Sequence, residues 1–142
     1  DKDGLLLCNL QATTFEMSIE TESISSEVFI RRFMNSQVAK DLDNESALQT
    51  SIQPQTIFDR LEEQYGSLNY GSVKYNKNEI YWIGYIYRYF SYTYELSSVR
   101  VYKTIKPREL RELLFPTIPW ILHRQSNVFW KLKILFLMKR RN

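Results

Sequence analysis

The segment EIYWIGYIYRYFSYTYEL, residues 79–96, constrains the fold of this chain more than any other part of the sequence. It holds six tyrosines, one tryptophan and one phenylalanine, with a single arginine, Arg88, near its middle. Asn76, followed three residues later by Glu79, has the pattern of a capping box at the start of a helix. Apolar side chains then recur at intervals of three and four, as on one face of an α-helix: Ile80, Ile83, Tyr87, Phe90 and Tyr94. The segment therefore predicts a central helix that is contacted on nearly every side.

Three other structures for this segment are less consistent with its residues. Paired strands are disfavoured because strict alternation fails at residues 81–83 and no turn residue divides the run. A membrane span needs about 20 apolar residues, whereas this run is shorter and places Arg88 and tyrosine hydroxyls where lipid offers no hydrogen-bond partner. A surface that stacks nucleic-acid bases needs a basic groove beside it, and Arg88 alone is weak support for one. Packing in a core is the preferred interpretation.

Further helix signals lie on both sides of the central helix. Ser25 or Ser26 can cap a helix over residues 25–43, and Pro54 and Gly66 have the residue types that begin and end a second one. Residues 97–105 and 107–114 predict two short helices, while GLLLCNLQATTFEMSIE near the N-terminus fits either a helix or a strand. We therefore predict an all-α protein, a single small domain of about five helices over residues 1–116. Four side chains of the central helix should be among the more buried: Trp82, Ile83, Tyr87 and Phe90.

Composition and charge limit the class of protein. A chain of 142 residues with 44% hydrophobic positions suits one globular domain. The net charge of +3 is unevenly distributed, because residues 1–116 hold 16 acidic and 13 basic residues and residues 117–142 hold six basic and no acidic ones. The basic pI therefore gives no support for nucleic-acid binding by the domain itself. Cys8 is the only cysteine and no signal-peptide pattern is present, so we expect a cytoplasmic protein without disulfides.

Motifs that carry chemistry are absent from the sequence. The one histidine, His123, lies in the C-terminal tail, and there is no glycine-rich phosphate loop or nucleophile elbow. The carboxylate pairs at residues 62–63 and at 41 and 43 are explained as solvated surface. We therefore predict a non-enzymatic protein with no catalytic, cofactor-binding or metal-binding residues. Three arginines are the candidates for polar contacts with a partner: Arg31, Arg32 and Arg88.

Four segments resemble a family of small bacterial proteins of uncharacterised function. They are SSEVFIRRFMNSQVAKDLD, YGSLNYG, YWIGYIYRYFSYTYELSS and VYKTIKPRELRELLFP, and the likeness covers roughly residues 10–116. Members of that family are common in gut Bacteroidetes and Firmicutes and are encoded beside ADP-ribosyltransferase-like proteins, in an arrangement that resembles a toxin–antitoxin operon. The resemblance implies a partner-binding or neutralising role and carries no catalytic residues with it.

These observations together favour a protein–protein interaction module. The resemblance makes the expected partner an operon-encoded toxin, with this chain as antitoxin or accessory protein. The alternative is a nucleic-acid-binding regulator, since antitoxins often bind their own promoter. We expect no cofactor and no transmembrane segment.

The tail after residue 116 departs from the family. Relatives continue after the Phe-Pro with a string like Tyr-His-Thr-Leu-Asp-Pro and then an Ala-Ile-Glu-Arg-Ile helix, whereas this chain reads TIPWILHRQSNVFWKLK. Codons can be chosen that encode the observed residues and that, preceded by one additional T and read one base earlier, encode Tyr-His-Thr-Leu-Asp-Pro-Pro-Ser-Ala-Ile-Glu-Arg-Ile. A lost base in the Pro116 codon would therefore convert the family ending into this one. The alternative is a genuine basic, amphipathic tail that lies on a membrane surface or on a partner.

The frameshift hypothesis makes one prediction about the DNA and two about the protein. Sequencing the coding DNA should show that the bases after the Pro116 codon encode the family ending in another frame, and a sequence that cannot do so would rule the hypothesis out. A chain with the frame restored should be more soluble in a sedimentation assay, because exposed apolar surface favours aggregation. In the shifted tail we expect poor order or a loosely docked helix with five exposed apolar side chains: Trp120, Phe129, Trp130, Leu135 and Phe136.

Overall fold

The computed structural model describes residues 2–44, 51–67, 69–115, 133 and 135–139. Every regular element in these residues is a helix, and no strand occurs among them, so the predicted all-α class is confirmed. Among the described residues, seven helices lie before residue 116, and residues 133 and 135–139 are also helical. The seven are α1 (Lys2–Thr21), α2 (Ser26–Met34), α3 (Gln37–Asp43), α4 (Pro54–Tyr65), α5 (Lys77–Tyr94), α6 (Ser98–Thr104) and α7 (Pro107–Leu114).

The fold is organised around the antiparallel pair α1 and α5. Gly4 near the start of α1 lies against the ring of Tyr92 near the end of α5, and Glu20 pairs with Lys77 at the opposite end. α6 and α7 also contact α5, while α2 and α4 contact α1. The capping box of α5 is present, because the Asn76 side chain accepts from the helix start and the Glu79 carboxylate accepts from the backbone N–H of Asn76. The aromatic-rich segment is therefore the central helix, as predicted.

Burial along α5 confirms three of the four predicted core side chains. Ile83, Tyr87 and Phe90 are fully buried. Trp82 is 41% exposed, so the prediction was wrong for this residue. Successive residues of a helix differ in direction by about 100°. α1, α6 and α7 cover one side of α5, which we call its buried arc. Ile83 lies within this arc, whereas the neighbouring Trp82 points away from it.

The chain between residues 25 and 43 forms two helices instead of the predicted one. The Ser36 side chain accepts a hydrogen bond from the backbone N–H of Ala39 at 3.1 Å and donates one to the carbonyl of Phe33 at 2.6 Å. It thus caps α3 and satisfies a carbonyl at the end of α2. Serine competes in this way with the continuous helical ladder. Together with the helical N-terminal segment, this break gives seven helices in the described part of residues 1–116, where the sequence predicted about five.

The tail contradicts one expectation that accompanied the frameshift hypothesis. Phe136, expected to be exposed, is fully buried, because its ring stacks on rings of α5, and Leu135 is half-buried. The other three residues of that expectation, Trp120, Phe129 and Trp130, lie outside the described residues. The hypothesis about the reading frame concerns the DNA and stays a prediction.

Gly84 sets the close approach of α1 and α5. A Cβ atom at this position would lie 2.7 Å from Cγ of Phe15, a buried side chain of α1 that makes edge contacts with Phe29 and Phe33. Alanine favours a helix interior over glycine by about 0.5–1 kcal/mol. Overpacking a core costs about 1–3 kcal/mol. The two effects oppose each other, and the steric one is larger.

We therefore expect Gly84→Ala to lower the free energy of unfolding by about 1 kcal/mol, the difference between the midpoints of those two ranges. The measurement is urea unfolding followed by circular dichroism. The matched control is the same substitution in a Phe15→Ala background, where Cγ and the ring that the new methyl group would meet are absent and the loss should shrink. A gain in stability on Gly84→Ala in the natural background would contradict the close approach.

Candidate functional site

A buried arginine lies at the centre of the described residues. Arg88 is 1% exposed, and its Nη1 donates to Oδ1 of Asp43 at a distance of 2.7 Å. The same carboxylate accepts from Ser98 twice, from the backbone N–H at 2.9 Å and from the hydroxyl at 2.7 Å. The ion pair thus joins α3, α5 and the start of α6.

The other two nitrogens of the Arg88 guanidinium also have acceptors. Nε donates to Oε1 of Gln11 at 2.9 Å, and Nη2 donates to the hydroxyl of Ser98 at 2.8 Å. The Gln11 side chain, itself buried, donates in turn to the carbonyl of Gly84 at 3.0 Å. Ser91 accepts from Nη1 at 3.2 Å and donates to the carbonyl of Leu96 at 2.5 Å. A complete set of partners is what a buried charge requires.

Burial and charge act in opposite directions on this cluster. Burial lowers the pKa of Arg88, and the neighbouring Asp43 carboxylate opposes that change. Burial also raises the pKa of the Cys8 thiol to about 11, so that the thiol is neutral near pH 7. A neutral, buried thiol is a poor nucleophile. Nothing in this arrangement supplies a reactive group.

The structure separates the three arginines that the sequence selected as partner contacts. Arg88 lies in the core, and its guanidinium is occupied by Asp43, so it is not available to a partner of the folded domain. Arg31 is exposed in the last turn of α2. Arg32 is half-buried, with its guanidinium 5.2 Å from the ring centroid of Tyr65, whose hydroxyl donates to the Arg32 carbonyl. The three residues do not form one site.

Arg32 borders a cleft between the end of α1, α2 and α4. Its volume of about 210 Å³ is below the roughly 300–1,000 Å³ of typical small-molecule sites. Glu22 on its rim has a raised pKa, because burial outweighs the attraction of Lys74. The Lys74 ammonium donates to the carbonyls of Glu22 and Ile24 at 2.5 and 2.7 Å. These hydrogen bonds fix the short connection between α1 and α2. We therefore interpret the cleft as part of the fold and not as a binding site.

An exposed strip of aromatic rings follows the opposite side of α5 from the buried arc. The Trp82 ring lies 5.2 Å from that of Tyr81 and 5.4 Å from that of Tyr85, and Tyr89 continues the same helix face one turn later. Tyr81, Tyr85 and Tyr89 are half-buried and Trp82 is exposed. We call these four residues the aromatic face.

The aromatic face leads into an open cleft between the start of α1 and the end of α5. The cleft has a volume of about 470 Å³ and is lined by Gly4, Leu5, Cys8, Tyr89, Tyr92, Thr93 and Glu95. Leu5 is 55% exposed and Leu6 beside it 52% exposed. Polar groups border the rings, since the Tyr81 hydroxyl donates to the Asn9 side chain at 3.1 Å. Rings and aliphatic side chains next to a concave surface are typical of protein-interaction sites.

Sequence reasoning missed both the network and the aromatic face. Asp43 was explained as solvated surface, whereas it is the partner of Arg88 with a side chain only 13% exposed. Trp82 was placed in the core. A single arginine within an aromatic helix was the available signal for a buried ion pair, because such a charge needs an acidic partner somewhere in the chain.

Searches for other kinds of site give no candidate. Within the described part of the chain, no group of three histidine, cysteine or acidic side chains could hold a metal ion. No helix in that part is both long and apolar enough to cross a membrane. Comparison of the chain with protein-family models, with curated proteins and with solved structures finds no match in any of the three.

The buried ion pair predicts unequal effects for two aspartates of α3. Asp43→Ala leaves the Arg88 charge buried without its anion and should lower the free energy of unfolding by about 3–5 kcal/mol. Asp41→Ala is the matched control, because Asp41 pairs with Arg60 at 3.4 Å at an exposed position and should cost about 0–1 kcal/mol. Urea unfolding measures both, and equal losses would show that the Arg88 network does not stabilise the fold.

Proposed function

We propose that this protein is a non-enzymatic interaction module that binds another protein through the aromatic face of α5. The observation that carries the proposal is the 41% exposure of Trp82 between two tyrosine rings on a helix whose opposite side is buried in the core. Tryptophan and tyrosine dominate the binding energy of protein interfaces, because they bury a large area at a low cost in side-chain entropy.

The rigidity of the helix supports this proposal. The buried side of α5 is fixed by Arg88, whose guanidinium bonds to side chains of α1, α3 and α6. The rings on the exposed side are therefore presented on a pre-organised element. Less conformational entropy is lost on binding to such a surface than to a mobile loop.

The charges on α5 favour a protein over a nucleic acid as partner. Its sequence holds two cations, Lys77 and Arg88. Lys77 pairs with Glu20, and Arg88 is buried with Asp43. A base-stacking surface depends on cations that follow the phosphate backbone. Both cations of α5 are instead paired with carboxylates of this chain. The nucleic-acid regulator therefore remains the second candidate.

The partner that we propose is the product of the adjacent gene. The family resemblance of residues 10–116 is the support for this choice, since it implies an operon with a toxin-like protein. An antitoxin or accessory protein can act by covering a surface of its partner, and that activity requires no catalytic residue in this chain. This agrees with the absence of catalytic motifs from the sequence.

The test is co-expression of the chain with the product of the neighbouring gene, followed by affinity capture and measurement of Kd. Trp82→Ala should weaken binding about 30-fold or more, the effect of losing a hot spot of about 2 kcal/mol. Tyr70→Ala is the matched control, because Tyr70 is a 68% exposed aromatic residue in the loop before α5 and should leave Kd unchanged.

Thermal unfolding of both variants separates binding from folding, since neither side chain is buried. Equal affinities for Trp82→Ala and the natural chain would overturn the aromatic face as the site. A chain that captures no protein but binds DNA with a steep dependence on salt would favour the regulator instead.

A further inference from the structure

The segment SSVRVYKTIKPR, residues 97–108, holds four cations and no carboxylate. It forms α6 and the start of α7, and all four cationic side chains are exposed: Arg100, Lys103, Lys106 and Arg108. Residues 1–116 as a whole hold 16 acidic and 13 basic residues. α6 and the start of α7 are therefore a local positive region in a part of the chain where acids outnumber bases.

A fifth exposed cation, Arg31 of α2, joins this region beside Tyr102. α2 packs against α6. Burial raises the pKa of the Tyr102 hydroxyl, and the nearby positive charge of Arg31 opposes that change. The Lys106 ammonium lies over the same ring, 4.3 Å from its centroid, in a cation–π contact. We call the surface formed by Arg31, Arg100, Lys103 and Lys106 the basic surface.

The cations of the basic surface are not neutralised within the described part of the chain, where none of the four forms an ion pair. At its edge, by contrast, Arg108 donates from Nη2 to Oε1 of Glu27 at 3.1 Å. Arg100 and Lys103 are three residues apart on α6, a spacing at which like charges destabilise a helix. Stability therefore does not explain this cluster, whereas an anionic partner would.

A small cleft opens beside the Tyr102 ring. It has a volume of about 250 Å³ and lies between Glu27, Tyr102, Lys106, Pro107 and Arg108. This volume is below the roughly 300–1,000 Å³ of small-molecule sites. It suits a single side chain of a larger partner, with the tyrosine and proline rings as apolar walls.

We propose that the basic surface docks an acidic segment of a protein partner, whose carboxylates reach Arg31, Lys103 and Lys106 while one aromatic side chain enters the cleft beside Tyr102. Complementary charge accelerates the encounter of two proteins and fixes their orientation. The ring of the partner would stack against Tyr102, which gives the site a requirement beyond charge.

The size of the basic surface favours an acidic protein segment over a nucleic acid. α6 has seven residues and is therefore about 10 Å long, whereas nucleic-acid-binding proteins commonly contact about 6–10 phosphates. The excess of acids in the rest of residues 1–116 repels an extended polyanion. A short acidic segment would contact the basic surface alone.

The basic surface is separate from the aromatic face. α6 packs on the buried arc of α5, and Trp82 points away from that arc. Trp82→Ala therefore leaves the basic surface unchanged, and substitutions in the basic surface leave the aromatic face unchanged. The two proposals can fail separately.

The experiment uses the full chain and a fluorescein-labelled peptide of eight glutamates around a central tyrosine, with binding followed by fluorescence anisotropy. The double variant Lys103→Glu/Lys106→Glu reverses two charges of the basic surface. The matched control, Lys2→Glu/Lys40→Glu, makes the same change in net charge at two exposed lysines, and Lys40, like Lys103, lies in the last turn of a helix. The basic-surface variant should bind the peptide about tenfold more weakly than the control, because it places like charges against the peptide.

Both double variants keep the basic residues 117–142, so the difference between them reports on the basic surface and not on the tail. Equal Kd values for the two double variants would overturn the proposal. A peptide with serine in place of the tyrosine should bind the natural chain more weakly, and equal affinity of the two peptides would exclude the cleft from the site.

The same comparison with a short DNA duplex and with vesicles that contain phosphatidylserine distinguishes the other anions. A larger difference between the two variants for either of these than for the peptide would overturn the proposal in favour of that anion. If circular dichroism shows that a glutamate variant does not fold, Lys103→Gln/Lys106→Gln and Lys2→Gln/Lys40→Gln make the same comparison without charge reversal.

Discussion

Placing a guanidinium in the apolar centre of a small helical domain constrains the position of every element around it. Arg88 is fully enclosed, so its charge must have an anion and its N–H groups must have acceptors inside the protein. The acceptors come from distant parts of the sequence, with Gln11 on α1, Asp43 on α3 and Ser98 on α6. A helix that shifted by one turn would leave one of these groups unsatisfied. The network therefore selects one arrangement of α1, α3, α5 and α6 from the many that hydrophobic packing alone would allow.

The same constraint divides α5 into sides with different roles. Its buried arc packs into the core and holds the network, whereas Trp82 and its tyrosine neighbours lie outside that arc. Near the C-terminal end of α5 the rings of Phe90 and Tyr94 meet the stacked ring of Phe136. One helix thus presents a partly exposed aromatic face and, near its C-terminal end, a ring stack that Phe136 covers. Because the helix is fixed from its buried side, the aromatic face is pre-organised, which lowers the entropic cost of the binding that we propose.

The helices could be predicted from local residue patterns, and their exposed sides could not. The capping box at Asn76 and the spacing of Ile83, Tyr87 and Phe90 were sufficient for the central helix. Trp82 was assigned to the core because the central helix was expected to be contacted on nearly every side, but its burial depends on which directions the neighbouring helices cover. The split at Ser36 was missed for a related reason, since serine is tolerated within helices and its capping role depends on hydrogen bonds that the sequence does not display.

The sequence by itself determined that this protein is all-α, that its aromatic-rich segment forms the central helix, and that no catalytic motif is present. These features depend on periodicity, capping residues and residue types, which are local or compositional. The tertiary structure alone decided that Arg88 is an internal support with Asp43 as its partner, that Trp82 is exposed, and that Phe136 is buried. Each of these depends on contacts between residues that are distant in sequence, and the free energy of a buried charge or ring is set by whatever group the fold places beside it.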